Sequence, residues 1–298
     1  MTLKLIKILH RTRRKTRFKI GLAFSFIIIL LALFAPYIVP YPRDGSGYVP
    51  PDVEVRRLLP PSPRFLFGTD HLGRDLFSRV IMGTRTALIQ VFIVVGLSLA
   101  IGILIGAIAA YFKGLVETLL NYLVEIFMPM PAVVLALVLR LVLKPGIHVV
   151  VLSLVLTWWA WYARIAYVYA RGITELDYVV LAKIAGLSSF KILRRHVLPN
   201  VIQPLTVQAI TDMGSVLLEA AAINFLGLGL EPGRPEWGVM LYEALFYGGG
   251  VEVITKASWL VVFPGLFLLL TTLSFSLLGD CLREELDPRL RRRWRLWF

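Results

Sequence analysis

The sequence predicts an all-α membrane protein with six transmembrane helices. The 298 residues are 57% hydrophobic and 17% charged, with a mean hydropathy of +0.74, well above that of an ordinary globular domain. A transmembrane helix needs about 20 mostly apolar residues. Six stretches satisfy this requirement: 19–39, 86–112, 117–143, 147–170, 203–229 and 257–279.

The distribution of basic residues predicts the orientation. Both tails, residues 1–18 and 280–298, are rich in Lys and Arg, and no acidic residue occurs among the first 20 positions. Basic segments beside membrane spans favour the cytoplasmic side, so both termini are expected in the cytoplasm. The formal charge of +13 therefore reflects the orientation of the chain in the membrane, and it argues against nucleic-acid binding. Trp294 and Trp297 among the C-terminal arginines suit contact with anionic lipid.

The first span, 19–39, is expected to remain as an anchor. Its apolar run is too long for a secretory signal, and no A-x-A cleavage site follows it. The next segment, 40–85, is then extracytoplasmic and too short to bury a sizeable core of its own. The Gly-rich connection 231–256 is expected on the same side.

Small and kinking residues mark the second and third spans. Gly102 and Gly106 have the G-x-x-x-G spacing that predicts close packing between helices. Pro129 and Pro131 remove backbone donors from the third span and should bend it.

Ionisable residues inside the predicted spans are candidates for function, because burying them in a bilayer is costly. Glu117, Asn121 and Glu125 form one stripe on the third span. From a rise of about 1.5 Å per residue, Glu125 and Arg164 of the fourth span lie at a similar depth, so a structural pair is predicted. Direct contact with a solute is the alternative role.

A second polar stripe lies on the fifth span. Its members recur at helical spacing on one face: Gln208, Asp212, Ser215 and Glu219. The stripe predicts a helix surface facing a central aqueous path, and packing against a partner subunit is the alternative.

Nothing in the sequence indicates covalent chemistry. Cys281 is the single cysteine, no His/Cys cluster has metal-ligand spacing, and no nucleophile–base pair stands out, so no catalytic or metal site is predicted. The phosphate-binding pattern G-x-x-x-x-G-K-[ST] is also missing. Energy for any active process must therefore come from another chain.

A basic, amphipathic segment interrupts the apolar runs between the fourth and fifth spans. Apolar residues recur every three to four positions before Gly186 and again after it, which predicts a helix, a glycine turn and a second helix. Such a segment lies on the lipid surface or docks a soluble partner, and composition alone leaves both open.

The residues of this segment resemble a known motif. "DYVVLAKIAGLSSFKILRRHVLPN" (177–200) resembles the EAA loop of ABC-importer permeases, although Val180 and Leu181 replace the first two residues of the Glu-Ala-Ala triplet. Three further segments are similar to the C-type permease of dipeptide and oligopeptide importers: "GTDHLGRDLFSRVIMGTR" (68–85), "INFLGLGLEPGRPEWGVML" (223–241) and "LLGDCLREELDPRLR" (277–291). Together the four segments are spread over residues 68–291, which is most of the chain, in family order.

The resemblance implies an ABC type I importer permease with its core at 86–298 and a cytoplasmic coupling loop at 172–200. It implies a homologous second permease, two ATPase subunits that carry ATP and Mg²⁺, and an extracytoplasmic substrate-binding protein. No cofactor is expected in this chain. The residues implied to couple to the ATPase are Ala182, Gly186, Leu187, Ser188, Phe190, Leu193, His196 and Pro199.

The resemblance thus predicts a multi-pass cell-membrane subunit that transports di- or oligopeptides. The same role for an oligosaccharide or for nickel is the alternative within the class. A self-sufficient secondary transporter is a further alternative, but such a protein is expected to have internal repeats or clustered ion ligands. An intramembrane enzyme would need a catalytic pair, and the four histidines all fall in tails, loops or near interfaces.

Overall fold

The computed structural model describes residues 16–286 and the side chains of residues 16–284. Thirteen α-helices occur in this range: α1 (Thr16–Ile38), α2 (Pro42–Gly45), α3 (Val53–Arg56), α4 (Leu76–Phe112), α5 (Gly114–Phe127), α6 (Ala132–Val142), α7 (Ile147–Thr174), α8 (Asp177–Ile184), α9 (Ser189–Ile192), α10 (Leu198–Phe225), α11 (Trp237–Tyr247), α12 (Val253–Lys256) and α13 (Trp259–Leu286). A π-helical turn, Leu193–Val197, joins α9 to α10, and a short 3₁₀ turn, Gly250–Glu252, precedes α12.

Five of these segments are long and apolar enough to cross a membrane, and α5 with α6 supplies a sixth crossing if the bent pair is one span. The prediction of an all-α membrane protein is thereby confirmed, and the six predicted spans agree with these five to six candidates. Most of the two basic tails lies outside the described residues.

The third span is sharply bent where the two prolines fall. Helices α5 and α6 meet at 83° across the break at residues 128–131. Pro131 has an extended backbone and forms the N-cap of α6. The predicted bend is therefore present, and it divides the span into two helices.

The second span begins earlier than its apolar run indicates. Helix α4 starts at Leu76, so residues 76–85, predicted to be extracytoplasmic, are its first turns. Asp75 caps this start, since its carboxylate accepts hydrogen bonds from the Ser78 amide at 2.8 Å and the Ser78 hydroxyl at 2.6 Å. A capping side chain thus overrides the composition of the first turns.

The long helices pack as an up-and-down bundle with two ends. The loop end carries residues 175–197, and the opposite end carries residues 39–75, 143–146 and 226–258. The main buried core lies between α4, α7, α10, α11 and α13. A second core lies at the loop end, between α4, α7, the start of α10 and residues 179–197.

Two glycines bring α4 against α7, as their spacing predicts. A Cβ on Gly106 would lie 2.3 Å from the Ala163 carbonyl oxygen, and one on Gly102 would lie 2.8 Å from the Trp159 carbonyl oxygen. Only glycine permits backbones to approach this closely. The G-x-x-x-G pattern therefore serves helix packing within this chain.

Candidate functional site

The segment between the fourth and fifth spans is a helical hairpin with a glycine at its turn. Gly186 follows the end of α8 with φ at +77°. Its amide donates to the Lys183 carbonyl at 3.0 Å, and the Leu187 amide donates to the Ala182 carbonyl at 3.1 Å. This double hydrogen bond is the Schellman pattern that ends helices at a left-handed residue. The predicted helix–turn–helix is confirmed, with Gly186 at the bend.

One face of the hairpin is fixed to the bundle. Val179, Ile192 and Val197 are fully buried and pack with residues of α4 and α7, such as Ala107 and Ala166. The partly buried side chains Ala182, Leu187 and Leu193 complete this contact. These three predicted coupling residues therefore face the chain's own core.

The other face of the hairpin is apolar and exposed. Phe190 is 71% exposed, and Leu181 and Ile184 are exposed to a similar degree. Gly186 and Ser188 are exposed beside them, whereas His196 and Pro199 are partly buried. Leu181 and Ile184 were not among the predicted coupling residues, because their neighbours in the helical repeat are also apolar and the buried face could not be assigned from the sequence.

A π-helical turn joins the hairpin to the fifth span without a break. The Leu198 amide donates to the Leu193 carbonyl, five residues earlier. The Asn200 side chain donates to the His196 carbonyl at 2.7 Å and so satisfies one acceptor in the widened turn. The hairpin is therefore continuous with α10 through hydrogen-bonded helical backbone.

The polar stripe of the fifth span is partly buried, and Glu219 contacts α7. Asp212 is 8% exposed and accepts a hydrogen bond from Gln208 at 2.8 Å. Glu219 is half-buried and accepts one from the Trp158 indole at 3.0 Å. Ser215 is exposed. Among the described residues no Lys or Arg lies within 4.0 Å of either carboxylate.

The predicted pair between Glu125 and Arg164 is not formed. Both side chains are exposed, and none of the ion pairs within 4.0 Å in residues 16–284 joins them. The direction of the Glu125 side chain was predicted wrongly, because the neighbouring Val124 is the residue that packs on α7. Two turns away, Glu117 forms the ion pair between these helices instead, with Arg171 at 3.0 Å, and also accepts from the Tyr167 hydroxyl.

A buried ionic cluster lies at the opposite end of the bundle. Asp70, Arg74, Arg79 and Glu243 are each at most 4% exposed, and the N–O distances between them range from 2.5 to 3.1 Å. Burial alone would raise the pKa values of Asp70 and Glu243, but Arg79 and Arg74 outweigh it and hold both pKa values below their usual range. The cluster ties α11 to the start of α4.

The 231–256 connection contains a helix that packs on the bundle. Trp237, Gly238, Val239 and Met240 of α11 are buried there. The pairing of Arg74 with Glu243 could not be predicted from the sequence, because the two residues are 169 positions apart. The Trp237 indole also donates to the Val80 carbonyl of α4 at 3.0 Å.

Comparison with known proteins identifies the family. Residues 102–292 match the family model described as binding-protein-dependent transport system inner membrane component. The chain belongs to this family. Residues 5–61 match the model of the N-terminal transmembrane domain of oligopeptide transport permease C.

Curated relatives of this permease subunit cover nearly its whole length. The di/tripeptide transport system permease protein of Pseudomonas aeruginosa is 39% identical over 281 residues, covering 91% of this chain and 88% of the relative. The dipeptide transport system permease protein of Haemophilus influenzae is 36% identical, with 92% and 90% covered. The probable D,D-dipeptide transport system permease protein of Escherichia coli is 33% identical, with 88% and 84% covered.

This permease subunit is thus a multi-pass inner membrane protein whose family and relatives are transport subunits rather than enzymes. An importer permease of this kind implies a binding protein, an ATPase and a second permease in the same system. Its predicted fold class and recognised family are both confirmed.

One buried carboxyl of the permease predicts a pH dependence. Glu236 is fully buried, and burial raises its pKa to about 7 despite its hydrogen bond from the Val239 amide at 2.9 Å. Because the pKa of Glu236 is higher in the folded protein than its ordinary value of 4.5, deprotonation costs free energy in the folded state. The free energy of unfolding should therefore fall as the pH rises from about 4.5 to 7. Glu236→Gln keeps the acceptor and removes the titration.

The thermal midpoint of a Glu236→Gln complex should therefore depend less on pH in this window and exceed that of the unmodified complex at pH 8. Glu252→Gln, at an exposed position, is the matched control and should leave the pH profile unchanged. Parallel profiles for Glu236→Gln and the unmodified complex would contradict the assignment. Other titrating groups contribute equally to both proteins and cancel.

Proposed function

We propose that this chain is one of two permeases in an ATP-driven importer of short peptides. The peptide assignment rests on relatives named as dipeptide permeases that match about nine-tenths of the chain. In this proposal both termini and the loop end are cytoplasmic, in agreement with the basic residues of the tails. A binding protein delivers the peptide to the opposite end, and two ATPase subunits bind ATP and Mg²⁺.

The exposed apolar face of the hairpin carries the coupling part of the proposal. Leu181, Ile184 and Phe190 are large apolar side chains exposed on a hairpin that is itself packed on the bundle, and exposed apolar surface of this kind is typical of an interaction site. The lipid-surface alternative is less well supported, because the opposite face of the hairpin is already buried on the bundle. Closure of the ATPase pair would push this surface and, through the π-helical turn, move α10.

The path for the solute is proposed along the polar stripe of α10. The carboxyl groups of Asp212 and Glu219 accept hydrogen bonds from neutral donors inside the bundle, and ionisable side chains at such positions are candidates for function because burying them is costly. Packing against the second permease remains the alternative role of the stripe. Movement of α10 would change the access of this stripe to water on the two sides.

The turn glycine provides the sharpest test of coupling. A side chain at Gly186 meets no atom within 4 Å, so any effect of substitution arises from the backbone at φ +77°. Gly186→Val should distort the turn, because β-branched residues are genuine outliers at positive φ, whereas Gly186→Asn should be tolerated. In proteoliposomes with ATPases and binding protein, Gly186→Val should lose most dialanine uptake per ATP hydrolysed.

The Asn variant is the matched control and should keep at least half of the coupled uptake. Equal uptake per ATP by correctly assembled Val and Asn complexes would remove the argument that the hairpin turn transmits force. Failure of the unmodified complex to take up any peptide would instead overturn the proposed substrate.

Thiol reactivity tests the path. In a variant whose Cys281 is replaced, cysteines at Gln208, Ser215 and Glu219 should react with small water-soluble thiol reagents, at rates that change with the nucleotide bound to the ATPases. A cysteine at Val216, which is fully buried, should react slowly throughout. Uniform protection of the stripe positions in every state would place the path along other helices.

A further inference from the structure

A cavity with charged walls lies at the opposite end of the bundle. It has a volume of 560 Å³ and lies between the first turns of α4, the 145–148 turn and the 230–235 loop. Met82, Ile147 and Leu230 form apolar parts of its lining, and Glu231 and Arg234 form charged parts. The volume falls within the usual range of small-molecule sites, about 300–1,000 Å³.

Glu231 and Arg234 lie on one turn, and their side chains do not form an ion pair with each other. The Arg234 amide donates to the Glu231 carbonyl at 3.3 Å, which closes the turn. No ion pair within 4.0 Å in residues 16–284 involves either side chain. The wall therefore presents a carboxylate and a guanidinium, both exposed, three positions apart.

The turn that carries these charges is held in place from beneath by the buried ionic cluster. The Gly233 amide donates to the Glu243 carboxylate at 2.7 Å, and Arg79 donates to the Gly233 carbonyl at 3.3 Å. On its other side the turn packs on Gly47, where a Cβ would lie 2.4 Å from the Gly233 oxygen. Surface turns rarely have such support, and a binding wall that is already ordered loses less entropy when a ligand binds.

We propose that this cavity binds a short zwitterionic solute, with Glu231 facing its ammonium group and Arg234 its carboxylate. A guanidinium matches a carboxylate through two parallel hydrogen bonds, and a carboxylate matches an ammonium by charge. The apolar lining would accept the side chains of a dipeptide. The inference deepens the proposed function, on which it rests, by naming a site that the peptide occupies near the side where the binding protein releases it.

Dialanine binding to the intact permease–ATPase complex in nanodiscs, without binding protein, tests the site by saturation-transfer NMR. Arg234→Gln and Glu231→Gln should each weaken dialanine binding about tenfold. N-acetyl-dialanine lacks the ammonium, so it should bind the unmodified complex weakly, and Glu231→Gln should not weaken it further. Arg57→Gln removes an exposed charge from the same end without lining the cavity, and should bind dialanine normally.

No saturable dialanine binding by the unmodified complex, or unchanged binding by both Gln variants, overturns the site. Variants that weaken only the affinity for the binding protein also overturn it, since the turn would then be a docking surface. Dialanine uptake is measured separately in proteoliposomes: uptake without binding here leaves the proposed function standing, whereas binding without uptake contradicts the proposed function but supports the site.

Discussion

Replacing Glu243 by alanine should lower the stability of the assembled permease more than any change of a surface charge. Glu243 neutralises Arg74 and Arg79, with N–O distances of 3.1 and 2.7 Å, and its removal leaves Asp70 as the single acid for two buried guanidinium groups. Breaking a buried pair from one side costs about 3–5 kcal/mol in soluble proteins. The Gly233 amide would also lose its acceptor.

The measurement is the thermal midpoint of the purified complex, which we expect to fall by on the order of 10 °C. Glu252→Ala is the matched control, because Glu252 forms an ion pair with Lys256 at the same end but both side chains are more than two-thirds exposed. Exposed pairs contribute about 0–1 kcal/mol, so this control should shift the midpoint little. Equal shifts for the two variants would show that the buried cluster does not stabilise the bundle.

Gly106→Ala should disrupt the contact between α4 and α7. The added Cβ would lie 2.3 Å from the Ala163 oxygen and 2.7 Å from the Tyr167 nitrogen, both of which are backbone atoms. The helices must therefore separate, because no side chain can rotate away, and overpacking of this kind costs about 1–3 kcal/mol. Helix α7 also carries Trp158, the hydrogen-bond donor to Glu219, so uptake should fall together with stability.

Gly96→Ala in the same helix is the control for this change. A Cβ on Gly96 meets no atom within 4 Å, and alanine favours the helix over glycine by about 1 kcal/mol. We expect the Gly96 variant to assemble at least as well as the unmodified chain in detergent extraction and size-exclusion chromatography. Comparable loss of assembled complex in both variants would contradict the packing role of Gly106.

Features that depend only on neighbouring residues could be predicted from the sequence. Long apolar runs specify spanning helices because backbone groups in lipid must bond within the helix. The prolines near residue 130 remove donors and break the third span, and Gly186 permits the left-handed turn of the hairpin. Each of these outcomes follows from covalent structure or local hydrogen bonding, so it could be predicted without knowing how the helices pack.

The direction of side chains and the pairing of distant charges depend instead on how the helices pack. Glu125 is exposed beside the contact face of its helix, because Val124 is the residue that packs on α7. The exposed face of the hairpin was likewise fixed by burial of Val179 and Ile192 on the bundle. Arg74 and Glu243 meet across 169 positions because α11 folds back against the start of α4. Periodicity gives the spacing of residues along a helix, but the helix rotation and the long-range pairs depend on packing energies that no single segment contains.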